Sequence, residues 1–146
     1  MPLIRRADLN DLEFVVPLFN DYRQFYGQPD DTEGSKKFLG DRLRVKDSVI
    51  FLCTENDEAI GFTQLYPIFS SVRMKPALLL NDLYVHARSR KKGVGAALLK
   101  SAVKYGKETG SKWLMLSTAH DNINAQSVYE KNGWERITDV FYEYAL

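Results

Sequence analysis

The ten residues Arg88-Ser89-Arg90-Lys91-Lys92-Gly93-Val94-Gly95-Ala96-Ala97 put two glycines and four basic side chains between a strongly apolar run and an amphipathic one. Gly93 and Gly95 lack a Cβ, so the backbone can turn there with positive φ and lie close to a ligand. A helix starting at this point offers unpaired N–H groups and the positive end of its dipole. The chemistry that fits is anion binding, and the basic cluster suits a diphosphate. Two other diphosphate signatures are absent. No Gly-Lys-Ser/Thr follows Gly93, and Leu98 stands where a dinucleotide fingerprint needs its third glycine. His86 and His120 are isolated, with no cysteine or second histidine at ligand spacing, so no metal is expected.

Elements must hold this turn in place. The run Ala77 to Val85, with Leu78-Leu79-Leu80 inside it, predicts a strand buried on both faces in the middle of a sheet. A helix is expected from Val94 to about Thr109, packed through Ala97, Leu98, Ser101, Ala102 and Tyr105 and stopped by Gly110. Upstream, Leu3 to Ala7 reads as a strand. Asp8 caps a helix carrying Leu12, Val15, Val16, Phe19 and Tyr22, which Pro17 bends. A second helix runs from Asp31 to Val45, weakened by Gly34 and Gly40. Ser48 to Thr54 and Ala59 to Tyr66 form a hairpin around Glu55-Asn56-Asp57-Glu58, and Pro67 predicts a break or bulge. After the central strand and helix come a strand over Lys112 to Thr118, a helix over Asn122 to Asn132 ending at Gly133, and strand material over Trp134 to Ala145. The sum is an α/β domain, residues 1–146, with a mixed sheet and helices on both faces.

Composition narrows the function classes. The 146 residues are 45% hydrophobic, enough for one core, and carry a net charge of +1. With so little net field, neither nucleic acid nor an anionic membrane is an expected partner. No apolar run reaches the roughly 20 residues of a membrane span, and no signal-peptide h-region opens the chain, so a cytoplasmic protein is expected. Cys53, inside Val49-Ile50-Phe51-Leu52-Cys53, reads as a core residue.

Arg90-x-x-Gly93-x-Gly95 after an apolar strand resembles the acyl-CoA loop of the Gcn5-related N-acetyltransferases (GNAT). Asn122-x-x-Ala125-x-x-x-Tyr129-Glu130-Lys131-Asn132-Gly133-Trp134 is similar to the second motif of that family, and the two occur in the family's order. The resemblance covers Asn81 to Trp134. It implies a mostly antiparallel sheet whose parallel strand pair, here 78–85 and 112–118, splays apart to admit the pantetheine arm of acetyl-CoA. The strand end Leu83-Tyr84-Val85 then meets the cofactor, with Leu83 and Val85 giving N–H and C=O groups. The N–H groups of Lys91, Lys92, Gly93, Val94, Gly95 and Ala96 hold the diphosphate, helped by the Arg90 and Lys92 side chains, and Asn122 bonds a pantetheine amide.

The same resemblance supplies catalytic candidates. An alkyl ammonium with a pKa of about 10.4 must lose a proton before it attacks an acyl carbon. Where the spermidine/spermine branch reads Glu-Asp-hydrophobe-aromatic-Val, this chain has Asn81-Asp82-Leu83-Tyr84-Val85, which leaves Asp82 as the base, direct or through water. Asp82 reads equally as a buried carboxylate held by backbone N–H groups. Strand alternation puts Asn81 and Asp82 on opposite faces, so only one can meet the amine. Tyr129, one turn beyond Ala125, is the general acid for the departing thiolate. Its phenol at about 10 against a thiol at about 8.5 makes full donation uphill by roughly 2 kcal/mol, so hydrogen bonding to developing charge is its main contribution. The aromatic stretch Phe14, Phe19, Tyr22, Phe25, Tyr26 reads as helix packing or, from Tyr22 to Tyr26 with Asp30 and Asp31, as the acceptor entrance. The family's acceptor pocket also draws on the turn near Phe69 to Lys75. The expected activity is acetyl transfer to a primary amine of a polyamine or amino acid by a homodimer. A protein lysine or amino terminus is the alternative acceptor, and loss of the base, suggested by Asn81, would leave a non-catalytic acyl-CoA sensor.

Overall fold

The computed structural model describes residues 2–146. Its sheet has five strands in the order β1 (Leu3–Arg6), β2 (Val49–Glu55), β3 (Glu58–Ser70), β4 (Lys75–Val85) and β5 (Leu114–Met115). The first three pairings are antiparallel and β4–β5 is parallel. Four α-helices cover the two faces: α1 (Leu12–Phe25), α2 (Thr32–Val45), α3 (Val94–Glu108) and α4 (Ile123–Lys131). Alternation along β2 decides which layer each side chain joins. Ile50 and Leu52 pack with Val15, Phe19, Leu39 and Phe62 under α1 and α2. Val49 joins Leu65, Leu78, Leu80, Leu99 and Ala102 under α3, and Cys53 joins Ile60, Val94 and Leu98 on that same side.

The parallel pair is where the sheet opens. Leu78 pairs with Leu114 and Leu79 with Met115, and there the ladder stops while β4 runs on to Val85. The splay predicted from the motifs is therefore present, with residues 80–85 lacking a strand neighbour on that side. β5 is shorter than the expected Lys112 to Thr118: Lys112 donates its N–H to the Pro76 carbonyl (3.0 Å) and the Trp113 carbonyl accepts from the Leu78 N–H (3.2 Å), but the regular ladder holds only Leu114 and Met115.

Two expectations need correction. Pro67 neither breaks nor bulges β3; it pairs with Leu78. β2 ends its pairing with β3 at Leu65, so Pro67 stands where β3 has become an edge and a missing N–H costs no ladder bond. The irregularity falls instead between Gln64 and Leu65, which pair with Asp82 and Leu80, leaving Asn81 as the extra residue of a β-bulge. The second is Trp134 to Ala145, which forms no strand. Arg136 donates to Gln126 Oε1 (2.6 Å) and sits 3.5 Å from Glu130. These contacts tie the segment to α4, and a cleft of about 410 Å³ separates it from β5.

Candidate active site

The glycine turn has the shape that an anion requires. Lys91 (φ 63°) and Gly93 (φ 83°) are both left-handed, and Gly93 caps α3 without any side-chain hydrogen bond to the first turn. A Cβ on Gly93 would meet nothing within 4 Å, so glycine serves the backbone angle there and not close packing. Val94 buries its side chain against Cys53, Ile60 and Leu98, while Gly95 and Ala96 remain partly open. What this turn presents to solvent is main-chain N–H and the helix dipole. Lys91 and Lys92 are exposed around it.

Arg90 does not point along with them. Its Nε donates to the Val85 carbonyl (2.9 Å), and its guanidinium lies 5.6 Å from the ring centroids of both Phe25 and Tyr84. Arg88 is paired with Glu58 at the β2–β3 hairpin. The same Val85 bond shows which way the strand edge faces. His86 N–H bonds to the Ile60 carbonyl (2.8 Å), so by antiparallel alternation Tyr84 is bonded to Phe62 while the polar groups of Leu83 and Val85 face the open side. Leu83 and Val85 thus turn their main-chain groups away from β3, with the Val85 carbonyl taken by Arg90. Tyr84 has its main chain committed and contributes a ring.

The bulge at Asn81 overturns the expectation that Asn81 and Asp82 face apart, because an extra residue cancels alternation locally. Both line a cleft of about 370 Å³ with Phe19, Tyr22, Phe38 and Tyr66. Asp82 is 5% exposed. Its Oδ2 accepts from Gln64 Nε2 (2.6 Å) and its Oδ1 from Asn81 Nδ2 (3.1 Å), so side-chain amides hold it and not the backbone N–H groups expected from sequence. The Tyr22 hydroxyl lies between the Asn81 carbonyl (3.4 Å) and this carboxylate. Burial raises the Asp82 pKa, opposed by hydrogen bonds from Gln64, Tyr22 and Asn81. Burial raises Tyr22 and Tyr66 as well, Tyr66 to about 12, and the Asp82 charge adds to both.

Tyr129 lines the cleft between β5 and residues 134–141, and packs beside Trp134 at 6.5 Å between centroids. Its hydroxyl pKa is raised, first by burial and then by the nearby Tyr26 phenol. Tyr129 in turn acts on Tyr22, so the three phenols lie within electrostatic reach of one another beside Asp82. Asn122 spends its Oδ1 capping α4 through the Ala125 N–H (3.2 Å), leaving its Nδ2 as the group able to reach a ligand. The histidines sit elsewhere. His86 Nδ1 accepts from the Arg88 N–H (3.3 Å), His120 is exposed, and no metal-ligand cluster occurs among the described residues.

Of the acceptor-side candidates, Tyr22 and Asp31 line the Asp82 cleft, whereas Asp30 accepts from Asn20 Nδ2 (2.7 Å) and the Phe69 to Lys75 turn lies outside it. Sequence reading missed Gln64, Arg23, Phe38 and Tyr66. A polar pair, Thr63-Gln64, inside an otherwise apolar strand was the available signal for Gln64.

Residues 15–134 match the acetyltransferase (GNAT) family. The chain is 49% identical to the uncharacterized N-acetyltransferase YhfO of Bacillus subtilis, over 98% of this chain and 95% of that one. It is 36% identical to a D-amino-acid N-acetyltransferase of Saccharomyces cerevisiae, over 53% of this chain and 48% of the relative. A crystal structure of a probable acetyltransferase superposes with a TM-score of 0.89 at 42% identity, covering 99% of this chain and 96% of that one. With an uncapped glycine turn, a splayed parallel pair and these matches, the chain belongs to the GNAT family and is an acetyltransferase, a family whose acyl donor is acetyl-CoA.

Proposed function

We propose that the chain, acting as one catalytic unit, moves the acetyl group of acetyl-CoA to a primary amine of a small molecule by direct attack in a ternary complex. The observation that carries this reading is the bulge at Asn81. It sets a buried carboxylate in a cleft on the same strand that turns the main-chain groups of Leu83 and Val85 to the open side of the sheet. The residues present fit the donor: the turn from Lys91 to Ala96 suits its diphosphate, and the Leu83–Val85 edge suits its amides. Arg90 must release the Val85 carbonyl for that edge to be fully used. When bound, the thioester supplies the activated acyl carbon.

Asp82 accepts the ammonium proton, directly or through water. Its raised pKa narrows the gap to the amine, whose own pKa falls on entering the same dry, aromatic walls. Asn81 stands where the spermidine/spermine branch has a carboxylate. Here its amide holds Asp82 in place, which supports a working base over a sensor that has lost one. Tyr129, with a raised pKa, keeps its proton at neutral pH and stabilises the departing sulfur as a hydrogen-bond donor. The yeast relative named for D-amino acids supports a small acceptor. The use of acetyl-CoA supports a cytoplasmic site of action.

The test is thiol release from acetyl-CoA with a panel of amines, comparing the wild type with Tyr129→Phe and Gly93→Glu. Tyr129→Phe is expected to lose at least tenfold in kcat, and Gly93→Glu to lose coenzyme A binding. Full turnover by both variants would remove the assigned roles. Turnover confined to basic peptides would move the acceptor to protein lysine, and tight donor binding without product from any amine would leave a sensor. Two features support a homodimer: the free edge of β5, and a segment exposing Ile137, Val140, Phe141, Tyr142 and Tyr144. Light scattering should give twice the 16.8 kDa chain mass; a monomer mass rejects the dimer.

A further inference from the structure

Arg23 lines the Asp82 cleft and has no part in the mechanism above. It is half-buried on α1, and its Nη1 donates to the Pro29 carbonyl (3.0 Å), which fixes the plane of the guanidinium. No carboxylate pairs with it among the described residues, so most of its N–H donors are unspent. Two acidic side chains share the cleft. Asp82 lies at the buried end, and Asp31 is exposed with its Oδ1 committed to the Gly34 N–H (2.8 Å) as the cap of α2. The remaining walls are aromatic: Phe19, Tyr22, Phe38 and Tyr66. A cleft with a buried carboxylate, a fixed cation carrying free donors and aromatic sides is complementary to a zwitterion. A polyamine is poorly served, because its second ammonium would meet Arg23.

Resting on the acetyl-transfer reading above, we propose that Arg23 anchors the carboxylate of the acceptor, so that the preferred substrate is the α-amine of an amino acid with an aromatic or apolar side chain. The guanidinium fork takes the two carboxylate oxygens while the amine is directed to Asp82. Arg23 is thereby a specificity residue, and its loss is read in the choice of substrate.

The experiment measures kcat/KM for both enantiomers of phenylalanine, for 2-phenylethylamine, which is the same skeleton without the carboxylate, and for spermidine. Wild type, Arg23→Gln, Arg23→Lys and Asp31→Asn are compared, with melting temperature and coenzyme A affinity confirming that each variant is folded. The expected result is a wild-type preference for one phenylalanine enantiomer over 2-phenylethylamine. That preference should shrink at least tenfold in Arg23→Gln through KM, and recover in part in Arg23→Lys. A wild-type preference for 2-phenylethylamine or spermidine, or a ratio unmoved by Arg23→Gln, overturns the proposal. Loss of spermidine turnover in Asp31→Asn would assign the cleft to a diamine instead. If no amine releases thiol, acetyl transfer itself fails; if amines react without regard to Arg23, only the anchor fails.

Discussion

Asp82 is a buried charge whose neighbours were chosen to keep it ionised. Gln64 is fully buried, gives its Nε2 to Asp82 and leaves its Oε1 without a partner. An orphaned buried acceptor costs stability, and so does the desolvated carboxylate. Because the folded-state pKa of Asp82 lies above its unfolded value of about 3.9, the penalty is absent at low pH, where both states hold the proton. It grows as pH rises through the folded-state value. Asp82→Asn removes the desolvated charge, and a flip of the Gln64 amide keeps the bond between the two side chains by turning Oε1 toward the new Asn donor, with Nε2 then taking the unpartnered position. The variant should be more stable at pH 7 by about 1 kcal/mol, an advantage that fades toward pH 3, and should lose most of its turnover. Thermal melts at both pH values check it. Equal melting temperatures at pH 7 would show that the buried charge carries no net penalty.

The elements are joined by close approaches that few residues permit. A Cβ on Gly61 of β3 would lie 3.0 Å from the Tyr84 carbonyl, 3.2 Å from Val94 and 3.3 Å from Leu98. Backbone on one side cannot yield, so a side chain would push the first turn of α3 outward, and that turn carries the N–H groups proposed to hold the diphosphate. Gly61→Val should cost about 1–3 kcal/mol and weaken coenzyme A binding, although Gly61 is no part of the turn. Calorimetry showing unchanged affinity would mean that α3 adjusts without moving its N-terminus. At this scale, the helices and the antiparallel strands were legible from apolar periodicity and caps, because those signals are local. The bulge was not. Nothing in Leu80-Asn81-Asp82 marks an extra residue, since it arises only from how β4 must register against Gln64 and Leu65 of β3.

For the molecule as a whole, stability against acid depends on where the ends of the sheet are tied to the helices. Arg5 on the edge strand β1 pairs with Asp11 (2.6 Å), which also accepts the Asp8 N–H (2.9 Å) at the start of the helical layer. The Arg5 hydrogen bond holds the Asp11 carboxyl below its ordinary value, against the opposing effect of burial. This stabilisation is complete above the unfolded pKa of about 3.9 and is lost as pH falls through the folded-state value. Asp11→Asn should therefore cost about 1 kcal/mol at pH 6, with Arg5 discounted as half-exposed. The difference from wild type should vanish near pH 2, as urea melts across that range would show. The chain by itself determined the glycine turn before α3, the order of elements and the two helix-covered faces, since glycine freedom, capping and hydrophobic period act over a few residues. Only the tertiary structure decided that Asn81 and Asp82 share one cleft, that Gln64 and Tyr22 hold the carboxylate, that Arg23 lines that cleft, and that Trp134 and Arg136 tie the segment after Gly133 to α4. Each is a contact between segments far apart in sequence, set by register and packing that no local pattern encodes.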